Sequence, residues 1–66
     1  MSTALKMPAI PTGQIKKFGE FGPKYEVGHA VRRSEDGDWI VEINLIETGE
    51  LTEYRLSRIL DDPAAR

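Results

Sequence analysis

The sequence predicts a small, mainly β domain: an antiparallel β-meander, either a bent sheet or a Src-homology-3-like barrel, ending in a short C-terminal helical turn. Three observations predict it. Apolar and polar residues alternate over residues 24–33, and residues 39–47 form a long β-rich run. Dense turn formers, Ser34-Glu35-Asp36-Gly37-Asp38 and Thr48-Gly49, punctuate the runs. Finally, Ser57-Arg58-Ile59-Leu60-Asp61-Asp62-Pro63 has a capping hydroxyl at its start and a proline at its end.

Residues 1–12 contain Pro8 and Pro11 and no sustained periodicity, which predicts a mobile N-terminal tail. The fold is expected to run from 13 to 63, with 64–66 a disordered end. A first strand near 14–18 places Ile15 on one face and Lys16 on the other. Gly19, Gly22 and Pro23 then break the chain into a loop anchored by Phe18 and Phe21. Tyr25, Val27 and Val31 mark the inner face of the next strand, and Gly28 within it suits a bend. Trp39, Val41, Ile43 and Leu45 continue that face, as do Tyr54, Leu56, Ile59 and Leu60.

The turns fix an expected register. A three-residue loop Glu35-Asp36-Gly37, with Gly37 left-handed after a type I turn, sets Arg33 opposite Trp39, Val31 opposite Val41, His29 opposite Ile43 and Val27 opposite Leu45. A two-residue loop would slip the register by one and send a row of side chains to the wrong face. The second hairpin is expected to pair Ile46 with Leu51, Ile43 with Tyr54 and Glu42 with Arg55. Ser57 is the expected N-cap of the terminal turn.

Sixty-six residues allow one domain with one small core. Cysteine is absent, so no disulfide supports it, and His29 alone is too little for a zinc site. Support from self-association or a partner is therefore expected. No apolar run approaches a membrane span and no signal peptide is evident, so a cytoplasmic location without membrane contact is expected. The net charge of −2 conceals a basic first half, with six bases against two acids over 1–34, and an acidic second half, with three bases against nine acids. A hairpin would lay these halves side by side.

The chemistry-bearing residue types do not assemble into a catalytic pattern. His29 has no nearby nucleophile or orienting acid, which predicts a non-enzyme. Glu35, Asp36 and Asp38 lack the spacing of a calcium loop and fit a solvated turn. Gly19 and Gly22 precede a proline and a strand rather than a helix, so they make no phosphate cradle. No cofactor or metal is expected. Two binding readings compete. Ile40, Ile46 and Leu51 on the outer face suggest a protein contact, with an unknown partner or a second copy, and this association module is the leading reading. The alternative is single-stranded nucleic acid, held by Lys16, Lys17, Lys24, Arg32 and Arg33 beside Trp39; a pI of 5.3 weighs against it.

The strings Phe18-Gly19-Glu20-Phe21-Gly22-Pro23-Lys24-Tyr25-Glu26-Val27, Glu47-Thr48-Gly49-Glu50 and Tyr54-Arg55-Leu56-Ser57-Arg58-Ile59-Leu60-Asp61-Asp62-Pro63 resemble a family of very short bacterial proteins of unknown function. The resemblance covers residues 13–63. It implies a stand-alone bacterial domain and carries over no catalytic or binding residue.

Overall fold

The computed structural model describes residues 9–65. It contains β1 (Ile15–Lys17), β2 (Lys24–Arg33), β3 (Trp39–Leu45), β4 (Leu51–Arg55) and α1 (Leu56–Asp61), in that order. The strands form one antiparallel sheet in sequence order, which is the predicted meander. The sheet is open. β1 and β4 are its two edges, so the strand-to-strand closure of a barrel is not made. Instead α1 packs against β3 and β4, and the chain after it brings residues 63–65 to the outer side of β1, where the Lys17 N–H bonds the Pro63 carbonyl (3.0 Å) and the Ala65 N–H bonds the Ile15 carbonyl (2.8 Å).

Tyr25, Val27, Val41, Ile43, Leu56 and Ile59 form the buried core, with Ile10, Phe18, Trp39, Leu45 and Tyr54 packed around it. Phe18, Tyr25 and Tyr54 meet as a three-ring cluster, with centroids 4.5–5.6 Å apart. Three residues expected in the core, Phe21, Val31 and Leu60, are exposed. Ile10 and Thr12 are tied down as well: the Thr12 hydroxyl donates to the Gly28 carbonyl (2.7 Å). Residues 10–12 and 63–65 thus bond to the sheet from either end of it. The expected tail over residues 1–8, and residue 66, lie outside the described residues.

The first hairpin forms at the expected loop. Ser34 and Asp38 close it, Gly37 takes a φ of 91°, and Arg33 faces Trp39. Further down, two register shifts, between Val27 and Ala30 and between Ala30 and Arg32, insert extra residues into β2. The observed partners are therefore Ala30 with Val41, Val27 with Ile43 and Tyr25 with Leu45. His29 and Val31 fall in the bulged stretch and turn to solvent. Gly28 permits this bend by close approach, since a Cβ there would sit 2.5 Å from the Glu42 carbonyl oxygen.

The second hairpin is shifted by two residues from expectation. Its loop is Ile46-Glu47-Thr48-Gly49, closed when the Gly49 N–H bonds the Leu45 carbonyl (2.7 Å) and the Leu45 N–H bonds that of Glu50 (2.8 Å). Leu51 therefore faces Asn44 rather than Ile46, Tyr54 faces Val41, and the expected Glu42–Arg55 pair is replaced by Glu42 opposite Glu53 and Ile40 opposite Arg55.

Ser57 does not cap α1; Arg55 holds that position without a side-chain bond. The cap comes from the hairpin loop. Asp38 accepts from the Ser57 hydroxyl (2.7 Å) and, with its other oxygen, from the Trp39 N–H (2.8 Å) and the Ser57 N–H (3.4 Å). Leu56 and Ile59 are the buried stripe of this short helix.

Candidate functional site

Of the residues expected to bind a phosphate backbone, Lys16 is removed by its burial. It faces the core beside Tyr25, is 8% exposed, and its ammonium donates to the Ile59 carbonyl (2.7 Å) and the Asp62 carbonyl (3.1 Å). It thus caps the C-terminal end of α1, where the helix presents carbonyls without partners. Asp62 completes this fastening from the other side. Its carboxylate accepts from the Tyr25 hydroxyl (2.7 Å) and the Gly19 N–H (3.2 Å). Burial, and then the Asp62 bond, push the Tyr25 phenol well above its usual range; burial and Asp62 also raise Tyr54.

The other expected nucleic-acid contacts do not converge. Lys17 and Lys24 pair at one end of β2, while Arg32 and Arg33 lie eight and nine residues away, roughly 30 Å along a strand before allowing for the bulges. Arg33 lies over Trp39 at 5.6 Å, and Trp39 packs against the core. Arg32 is bonded to Glu53 at 2.8 Å.

Of the expected protein contacts, Ile40 is buried, at 9% exposed. Its register explains this. Arg32 is its neighbour on one side and Arg55 on the other, all on the outer face, and their apolar stems flank it. Each guanidinium is paired with an acid, Arg32 with Glu53 and Arg55 with Asp36 (2.7 Å), with Asp38 at 3.5 Å. Bonds from Ser34 and then Arg55 hold the Asp36 carboxyl down at about 2; the Ser57 bond lowers Asp38.

Ile46 and Leu51 remain exposed, at 46% and 59%. They sit at the end of the sheet where the β1–β2 loop, residues 18–23, also ends, because the Ile46 N–H bonds the Lys24 carbonyl (3.1 Å). Phe21 projects from that loop at 97% exposed. Between the loops opens an apolar cleft of about 270 Å³ lined by Phe18, Pro23, Leu45 and Thr52, with Lys24, Glu47 and Thr48 also on its wall. Phe21, expected to anchor its loop on the core, lies outside it; its position between Gly19 and Gly22 in a surface loop is the sequence signal for that placement.

The fold and these surfaces define a small open-sheet domain with an apolar end and one edge that no described residue covers. Comparison with known proteins supplies the family. The model of a family of unknown function, DUF5397, matches residues 3–66, and the chain belongs to that family. An uncharacterized protein of Haemophilus influenzae is 52% identical over 56 residues, covering 85% of this chain and 89% of that protein. The resemblance to short bacterial proteins of unknown function is thereby established. No helix among the described residues is long and apolar enough to cross a membrane.

Proposed function

We infer that this protein is a non-catalytic association module that uses the apolar end of its sheet. The observation that carries the reading is Phe21, almost wholly exposed in the loop whose Phe18 and Pro23 line an apolar cleft. Burying a phenylalanine side chain stabilises a contact by ~1.5–3 kcal/mol, and an aromatic entering a desolvated pocket is a common interface anchor. Ile46 and Leu51 are further exposed apolar residues at this end, Leu51 on the outer face opposite Asn44, while Ile40 is withdrawn from the contact set. Lys24 and Glu47 on the cleft wall supply one charge of each sign, which lets a second copy match them reciprocally across a two-fold axis.

The test is sedimentation across a concentration series for the natural chain and for Phe21→Ser. A concentration-dependent dimer that is lost in Phe21→Ser, with unchanged stability of the monomer, supports the reading. A monomer up to about millimolar protein, where an association free energy near −4 kcal/mol would already register, overturns it.

A further inference from the structure

We propose that the free edge of β4 is a strand-addition site for an extended acidic segment of a partner protein. The hydrogen-bond phase of the sheet decides which groups are available. The Leu45–Glu50 bond fixes residues 50, 52 and 54 as those that bond to β3. Leu51 and Glu53 therefore point their N–H and C=O groups away from the sheet, and Arg55 its N–H, its carbonyl being taken by the first turn of α1. The opposite edge, on β1, is covered by residues 63–65 of the chain itself. Among the described residues, β4 has no such cover.

The chemistry beside this edge selects the partner. A groove of about 530 Å³ lies along Glu53, Tyr54 and Arg55 and is also lined by Arg32, Arg58 and Ile40, so three arginines and one glutamate line it, with Asp36 and Asp38 held against Arg55. The Arg32–Glu53 and Arg55–Asp36 pairs are exposed and individually worth little, so an incoming carboxylate can exchange into them. Arg58 has no carboxylate within 4 Å among the described residues. Main-chain bonds from the edge give affinity and the arginines give selectivity, which is how strand addition discriminates among segments.

A second copy fits the edge less well. Antiparallel pairing over all five residues of β4 sets Glu53 directly against its own copy, and like charges in that position are destabilising. The register that matches Glu53 with Arg55 of the other copy overlaps only residues 53–55.

The site is separate from Phe21, so the test is run both in the natural chain and in Phe21→Ser, where the apolar-end contact is absent. The probe is an eight-residue peptide of alternating valine and glutamate, with alternating valine and lysine as control. The glutamate peptide is expected to slow amide exchange at Leu51, Glu53 and Arg55 while leaving Thr52 and Tyr54 unchanged, because those two already bond to β3. Arg58→Glu should weaken binding at least about fivefold, the loss of one exposed ion pair and the gain of a repulsion. Glu53→Pro should abolish binding with the fold retained, since the lost N–H faces outward and edge strands tolerate proline. If Glu53→Pro unfolds, the exchange pattern and Arg58→Glu still decide. Absence of protection at millimolar peptide, equal protection by the lysine peptide, or protection of Glu53 and Arg55 by protein concentration alone in Phe21→Ser overturns the proposal.

Discussion

Replacing Lys16 with methionine isolates what the buried ammonium does, because methionine keeps most of the stem and removes the charge. Two bonds disappear, to the Ile59 and Asp62 carbonyls. The Ile59 carbonyl keeps the Asp62 N–H as a partner at 3.2 Å, whereas the Asp62 carbonyl has no other described donor. Bonds to charged groups contribute ~1.5–3 kcal/mol each, and a cation at a helix C-terminus about 0.3–1 more. Against this, the natural chain bears the desolvation of an ammonium, several kcal/mol in effective terms. The net loss expected for Lys16→Met is about 2 kcal/mol, a fifth to two-thirds of the ~3–10 kcal/mol typical of a domain this size. Lys16→Ala should lose a further ~2 kcal/mol from the buried stem. Urea unfolding followed by the fluorescence of Trp39, the single tryptophan, measures both. With a slope near 1–2 kcal/mol/M, Lys16→Met should lower the midpoint by roughly 1–2 M. A change below about 0.5 kcal/mol, or a gain in stability, would refute the reasoning: the bonds would then only offset the burial of their own donor.

Three further outcomes follow from the same geometry. Asp36 falls from 3.8 to about 2 on folding and Asp38 is lowered too, so the unfolded chain takes up protons first; the stability these groups confer is complete above the unfolded value and is lost as pH falls toward about 2. Urea midpoints at pH 5 and pH 2.5 should therefore differ less in Asp36→Asn/Asp38→Asn than in the natural chain, and an unchanged difference counts against the two acids. Gly28→Ala should destabilise by about 1–3 kcal/mol or prevent folding, because its Cβ would meet the Glu42 carbonyl at 2.5 Å; calorimetry finding a wild-type melting temperature would show that the bulge can relax. Glu42→Lys should stabilise by ~0.2–1 kcal/mol by placing a cation opposite Glu53, and urea unfolding that shows a loss would locate the Glu42 side chain in a favourable contact.

The meander, its element order and the three-residue loop were legible in the sequence because each rests on a local signal: alternation, turn chemistry and a glycine at a left-handed position. What escaped depends on counts that alternation does not carry. The two shifts in β2 restore the same face at Arg33 that an unbroken strand would give, so the pattern of Tyr25, Val27 and Val31 reads identically with or without them; only Val31 itself is sent outward. The second hairpin moved by two residues for the same reason, since an even shift preserves the faces while changing every partner.

Lys16 and Ile40 were each assigned to the wrong environment by their residue type, and together they show what becomes of the charge asymmetry. The basic first half and acidic second half are not separate surfaces. Lys16 and Arg32 from the first half reach the helix end and Glu53 from the second, one through the core side and one across the outer face above β3. A lysine on a short edge strand is ordinarily solvated, but here the chain after α1 returns along β1, and the Ile59 and Asp62 carbonyls supply what water would have. An isoleucine on the solvent face is ordinarily exposed, but here two arginines flank it in register and their stems cover it. Both reversals depend on pairings between residues 8 to 46 positions apart, and neither residue could be placed until its partner strand was.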